Sequence, residues 1–152
     1  MSASMVDSST QSISIAAPAA VIAEVIADFQ HYPEWISGMK STEVLEEFDD
    51  GYGHLVRFHL DAGVFKDVYE LRYEYSDDLT RISWTLDQPS SVQKAQVGSY
   101  DLSEHDDGTT VVTYTLAVDL SIPMLGMFKR KAEKMIMDSA LKELKKRVEA
   151  AE

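Results

Sequence analysis

Apolar positions change their spacing twice along this chain. Near the start, Val21, Ile22, Val25, Ile26 and Phe29 recur at helical intervals behind Pro18, and a helix is expected from there. Proline costs nothing in a first helical turn, where its missing N–H would have no partner. A short strand over 12–16 precedes this helix, and a second short helix can begin at Pro33 and stop at Gly38, carrying Trp35 and Ile36. From 39 to 121 the period falls to two, and turn residues separate candidate strands at 39–48, 52–61, 65–76, 79–86, 92–104 and 109–121. After Pro123 the spacing is helical again, and only Gly126 interrupts a run long enough for about seven turns.

The turns test this reading, because hairpin partners must share a face. A two-residue turn at Ala62-Gly63 pairs Leu60 with Phe65, Phe58 with Asp67 and Val56 with Tyr69. A turn at Asp77-Asp78 pairs Tyr73 with Ile82 and Leu71 with Trp84. A three-residue loop, Asp106-Asp107-Gly108, places Gly where a left-handed residue is wanted and pairs Leu102 with Val112, Tyr100 with Tyr114 and Gly98 with Leu116. Apolar and aromatic residues meet in all three hairpins. The alternate positions, among them Arg57, His59, Asp61, Lys66, Glu70, Arg72 and Glu74, read as wet. An antiparallel sheet covered on one face is expected.

The last helix is the candidate cover. Met124, Phe128, Ala132, Ile136, Ala140, Leu144 and Val148 recur every fourth residue, a stripe that winds about 40° per step around a helix of 3.6 residues per turn. Met135, Met137 and Leu141 broaden it. A flat sheet could not bury such a stripe, whereas a concave sheet wrapping the helix could; the alternative is a curved or slightly kinked helix on an ordinary core. The expected fold is α+β: a curved antiparallel sheet of about seven strands wrapped around a long C-terminal helix, with two short helices after the first strand. Residues 1–10 read as a flexible leader and 11–152 as a single domain.

Composition narrows the function. The chain has 152 residues, 45% of them hydrophobic and 26% charged, which is ordinary for a folded domain. There is no cysteine, so disulfides and thiolate chemistry are excluded. The net charge of −12 is uneven: residues 1–122 carry −15 and residues 123–152 carry +3. Such an acidic body repels phosphate backbones, so nucleic acid is an improbable partner, and the basic helix is expected to match the chain's own acidic body, with a membrane or anionic partner as the alternative. The first ten residues lack the basic and apolar regions of an export signal, which leaves the cytoplasm as the default.

Several stretches resemble the START-like superfamily, also called SRPBCC, and within it the bacterial polyketide-cyclase/dehydrase and coenzyme-Q-binding branch. They are SISIAAPAAVIAEVIADFQHYPEW at 12–35, VRFHLDAG at 56–63, GSYDL at 98–102, DGTTVVTYTLAVD at 107–119 and the helix FKRKAEKMIMDSALKELKKRVE at 128–149. The resemblance covers nearly the whole chain and implies the helix-grip fold. It is specific for the fold and weak for function, since the superfamily includes lipid carriers, hormone receptors and cyclases.

No histidine pair has metal-ligand spacing, no glycine-rich phosphate loop is present, and no metal or cofactor is expected. His54 shares the inward parity of Val56 and Phe58, yet a satisfied or solvated histidine is the preferred reading. The inward parity set is rich in tyrosine: Tyr69, Tyr73, Tyr75, Tyr100 and Tyr114, with Asp67, Lys94 and Gln96 as polar exceptions. These phenols either line a pocket or sit at the rim with their hydroxyls in water. Asp67 is either a pocket acid or a hairpin-end residue that reaches solvent, the second preferred.

The leading expectation is a protein that binds or carries an apolar small molecule, a lipid, quinone or polyketide-like compound. Phe58, Tyr69, Tyr73, Trp84, Tyr100 and Tyr114, with Phe128, Ala132 and Met135 of the last helix, would form the walls, and Gln96 and Asp67 would orient the ligand. The mouth is expected between the Ala62-Gly63-Val64 turn and Met124, Leu125, Met127 and Phe128, where a transient membrane contact is also placed. The alternatives are a polyketide cyclase or dehydratase acting in the same cavity, and a non-catalytic scaffold with a filled core.

Overall fold

The computed structural model describes residues 8–63, 66–121 and 126–150, with the side chains of 126–129 left aside. β1 (Ser9–Ile15) leads into α1 (Ala19–Ala27), a 3₁₀ turn at Phe29–His31 and α2 (Tyr32–Trp35). The strands β2 (Met39–Glu47), β3 (Gly53–Asp61), β4 (Lys66–Tyr75), β5 (Arg81–Leu86), β6 (Gln93–Glu104) and β7 (Thr110–Leu120) follow, and α3 (Gly126–Ala150) closes the order. All strands pair antiparallel in the order β1-β7-β6-β5-β4-β3-β2. The helix-grip expectation holds. Helix bounds differ from the sequence reading by small steps: Pro18 is the N-cap of α1, Phe29 lies in the 3₁₀ turn, and α2 begins at Tyr32.

α1 has no side-chain cap of its own, and a carboxylate from another element serves instead. Glu104 at the end of β6 accepts the Ala19 N–H at 2.8 Å, satisfying a free donor where the helix dipole favours negative charge. Ile22, Ala23 and Ile26 then face the sheet and are buried.

Register departs from the sequence reading at two hairpins. β3 and β4 pair Phe58 with Tyr69, Val56 with Leu71 and Asp61 with Lys66, two residues off the register of a two-residue turn at 62–63. β4 and β5 pair Tyr73 with Trp84 and Tyr75 with Ile82, and the turn between them is likewise longer. Leu79 there adopts a φ of 61°, a left-handed conformation that leucine rarely takes. Both shifts are by two residues, so each side chain keeps its face. The Asp106-Asp107-Gly108 hairpin has the expected register, with Tyr100 opposite Tyr114 and Gly108 at φ 87°.

A bulge between Gln93 and Ala95 changes one inward assignment. The extra residue reverses parity at the start of β6, so Gln93 is buried and Lys94, expected inside, is exposed. Three further register shifts bend β2. Curvature gives the sheet a concave face, on which Val56, Phe58, Leu71, Ile82, Leu102, Val112 and Leu116 are buried.

α3 lies along β1, and its polar attachments measure the fit. Ser9 Oγ donates to Glu133 at 3.0 Å, Lys145 Nζ donates to the Ser14 carbonyl at 2.7 Å, and the Ala16 N–H donates to Glu149 at 3.0 Å. From Glu133 to Glu149 a helix rises about 24 Å, and from Ser9 to Ala16 a strand extends about 23 Å, so helix and strand keep step. Arg147 reaches Glu34 of α2 at 3.1 Å, and Glu143 accepts from Ser37.

The buried face of α3 is Glu133, Met137, Leu141, Leu144 and Val148. This set holds to one side at spacings of four, four, three and four. Of the winding stripe Leu144 and Val148 are buried, as are Met137 and Leu141 that broaden it, whereas Ile136 is 45% exposed and Met135, expected in a ligand wall, is 64% exposed. Met137 and Leu141, one position on, take the inner side because the helix sits against β1, β7, α1 and α2 rather than at the centre of the sheet.

Candidate functional site

Across the middle of the concave face runs a band of aromatic rings. Phe58 of β3 stacks on Tyr69 of β4 at 5.4 Å, and Tyr73 of β4 lies 5.6 Å from Trp84 of β5. Trp84 is 5.3 Å from Tyr100 of β6, which lies 4.7 Å from Tyr114 of β7. Phe29 and Tyr32, from the helical segment after α1, meet Phe58 at 6.1 and 6.0 Å. The band therefore spans five strands and includes every aromatic sheet residue proposed as wall. Phe29 was read as part of the first helix's apolar stripe and Tyr32 was not singled out, and neither was foreseen as a member of this band.

The hydroxyls divide into two sets. Tyr32 donates to the Ile26 carbonyl, and Tyr75 donates to the Gly53 carbonyl at 2.7 Å. Tyr69, Tyr73, Tyr100 and Tyr114 have no hydrogen-bond partner for their hydroxyls among the described residues. Yet no buried side-chain nitrogen or oxygen there is sealed away without a partner. Tyr73 and Tyr114 are only 4% and 6% exposed, and Tyr69 and Tyr100 are half-buried. Burial pushes all four phenols well up from their ordinary range, and the other phenols of the band push Tyr73, Tyr100 and Tyr114 further. They stay neutral and keep their protons near neutral pH.

A polar relay crosses the same face. Trp84 Nε1 donates to Gln96 Oε1 at 2.7 Å, Gln96 Nε2 to Gln93 Oε1 at 2.6 Å, and Gln93 Nε2 to Asp67 Oδ2 at 3.0 Å. Indole can only donate and a carboxylate can only accept, so the ends fix both amides. Ser90 Oγ also donates to Asp67 Oδ2, at 2.6 Å, and Ser91 Oγ to Oδ1 at 3.2 Å. The Ser90 oxygen already accepts the N–H groups of Val92 and Gln93, at 3.4 and 3.0 Å, which turns its hydrogen toward the acid.

Asp67 is 4% exposed, so the preferred sequence reading of a solvent-reaching residue is corrected. The β5–β6 connection folds over it, a contact that no strand pattern reveals. Gln93 escaped notice because of the bulge. A polar depression of about 290 Å3 beside this connection, lined from 68–70 and 87–90, opens to solvent and is not the apolar site.

Gly98 makes the relay possible. A Cβ there would lie 2.3 to 2.6 Å from Cζ2, Cε2 and Nε1 of Trp84, so the indole rests directly on the β6 backbone. The sequence signal was a glycine inside a long strand, which often marks a close approach.

Ala132 of α3 is half-buried. The side chain of Phe128 lies outside the described residues, as do Val64, Phe65, Met124 and Leu125 and the side chain of Met127, and with them the expected mouth. Glu133, not foreseen, is 3% exposed and accepts the Val118 N–H at 3.1 Å, where β7 runs on past the end of its pairing with β1. It stands four residues before Met137 on the buried face, a spacing that could have found it.

The histidines form no site. His31 bonds Asp28 at 2.7 Å, and His54 stacks on Phe48 at 4.2 Å with Glu46 3.7 Å away. Among the described residues no group of three or more His, Asp or Glu could hold a metal, and no helix is long and apolar enough to cross a membrane.

Comparison with known proteins agrees with this geometry. The family model described as polyketide cyclase / dehydrase and lipid transport matches residues 7–149. A START superfamily protein from Mycobacterium smegmatis superposes with a TM-score of 0.88 at 21% identity, covering 95% of this chain and 99% of that one. The Zhui aromatase/cyclase from a Streptomyces species gives 0.81 at 18% identity, covering 95% and 94%. No curated protein matches. Identities this low show the fold alone, whereas the family model spans nearly the whole chain. With a helix-grip fold, an aromatic concave face and that match, the chain belongs to the polyketide cyclase / dehydrase and lipid transport family.

Proposed function

We propose that this protein binds an apolar, ring-bearing small molecule between the concave face of the sheet and α3. One observation carries the reading: the hydroxyls of Tyr69, Tyr73, Tyr100 and Tyr114, inside an aromatic band on the concave face, have no hydrogen-bond partner among the described residues. A core built only for stability would use Phe and Leu there, because unbonded buried phenols cost free energy. Aromatic walls with a few placed polar groups are the usual form of a small-molecule site. Phe58, Trp84 and the four tyrosines supply the walls, while Gln96, held by its relay, supplies an oriented amide.

The test uses Trp84 as reporter, with Trp35→Phe removing the other indole. Native mass spectrometry after gentle purification is expected to find a co-purifying small molecule, and naphthalene-sized ring compounds to change Trp84 emission saturably. No added mass, together with emission indifferent to such compounds, would reject the reading in favour of a filled core. A transient membrane contact at 124–128 is part of the proposal. It predicts that Phe128→Asp slows ligand extraction from liposomes, and equal extraction would remove it.

A second reading, a cyclase or dehydratase, is favoured by the same four hydroxyls, which could polarise carbonyl groups of a bound polyketide. It predicts that Tyr100→Phe and Tyr114→Phe abolish turnover of a poly-β-ketone while leaving its binding intact. Turnover unchanged in both variants would count against it.

A further inference from the structure

The interior holds acids without bases. Among the described residues the buried polar and charged side chains are Asp67, Gln93, Ser99, Thr110 and Glu133, with no lysine or arginine. The sheet arginines stand on the convex face, paired to acids there: Arg57 to Glu70 at 2.8 Å, Arg72 to Asp87 at 2.6 Å, and Arg81 to Asp101 at 2.8 Å. Asp67 is satisfied by neutral donors, with no lysine or arginine bonded to it among the described residues. Buried charges are ordinarily paired, so this one asks for a counterpart.

The relay carries its influence inward. Each amide turns its NH2 group toward Asp67 and its oxygen toward Trp84, so the dipoles of Gln93 and Gln96 align with negative ends directed into the band. The carboxylate is also felt at the Tyr69 phenol, which burial and then Asp67 push upward. Around this potential stand the rings of Phe58, Tyr69, Tyr73, Trp84, Tyr100 and Tyr114, whose faces attract cations. The phenol oxygens can accept a hydrogen bond from an ammonium as readily as donate one.

We propose that the cavity selects by charge, taking ring-bearing apolar molecules that carry a protonated amine and turning away carboxylates of the same skeleton. This rests on the binding reading above and adds a substrate class to it. Asp67 acts through the relay as a specificity residue and need not touch the ligand.

Three probes on one skeleton test it: 2-naphthylmethylamine, 2-naphthylmethanol and 2-naphthoate, titrated by Trp84 emission at pH 7 in 0.15 M and 0.5 M NaCl. The amine is expected to bind about tenfold or more tighter than the carboxylate, with the alcohol between them. The gap should persist at 0.5 M salt, where attraction to the acidic outer surface is screened. Asp67→Asn, which keeps an acceptor for Gln93, should shrink it several-fold. Equal affinity of amine and carboxylate on the wild-type protein overturns the charge selection, whatever the variant does. So does a gap that Asp67→Asn leaves intact in a protein of unchanged circular dichroism. Both outcomes leave the binding reading standing if the alcohol binds. If none of the three binds, both readings fall together.

Discussion

Gly98 shows how much one missing methyl can decide. The Trp84 ring occupies the place where a Cβ would stand, and the ring cannot move away without leaving Gln96 and the neighbouring rings of Tyr73, Tyr100 and Tyr114. Gly98→Ala is expected to destabilise the fold by about 2 kcal/mol, the usual cost of overpacking a well-filled interior. Trp84 emission should shift red as its Nε1–H loses Gln96. Equilibrium urea unfolding and the emission spectrum check both. A variant as stable as the wild type, with unshifted emission, would mean that the indole does not rest on β6. The residue scale is also where the sequence said least about the site. Asp67 and Gln96 were visible as polar residues of inward parity, but their link through Gln93 depended on a bulge, and no alternation of apolar and polar residues marks a bulge.

Elements were far more legible, and the errors among them have a common cause. Val64-Phe65 and Leu79 look like strand residues, so the 62–63 and 77–78 turns were read two residues too short. Where Gly108 marked the left-handed position, the register came out right; where Leu79 took that position, no residue announced it. Two of these loops make an acid-side prediction. Asp78 and Asp107 accept hydrogen bonds from the side chains and N–H groups of Thr80 and Thr109, which hold both carboxyls below their ordinary range. A carboxyl depressed in the folded state adds stability above its unfolded pKa and loses it as pH falls through the folded value. Asp78→Asn with Asp107→Asn should therefore flatten the fall in stability below about pH 4. A denaturant series across pH 2.5–6 that is identical for variant and wild type would contradict it. α3 offers a larger effect. Glu133→Ala strips the Val118 N–H and Ser9 Oγ of their acceptor inside the protein, at an expected cost of about 2–3 kcal/mol. Glu133→Gln, retaining one oxygen, should cost about 1 kcal/mol. Hydrogen exchange at Val118, accelerated only in the alanine variant, would locate the loss there.

At the scale of the molecule, charge and shape divide the work. The curved sheet and the keeping-in-step of α3 with β1 follow from spacing, and spacing was readable. Where α3 sits across the sheet was not, and the helix lies toward β1 and β7 instead of over the centre. Charge was readable from the start, and it sets a last expectation. A net −12 on 152 residues places like charges close together on the folded surface, and this repulsion opposes compaction. Against it stand surface pairs such as Arg57–Glu43, Arg81–Asp101 and Lys145–Glu149, which are at least a third exposed and individually worth little. Salt screens both, but the repulsion is summed over the whole surface while the pairs are few, so screening should favour the folded state. The midpoint of thermal unfolding is expected to rise by several degrees between 10 mM and 0.3 M NaCl. A fall would mean that the ion pairs outweigh the repulsion, and that the basic outer side of α3 steadies the acidic body more than its pairs with Glu34 and Glu149 account for.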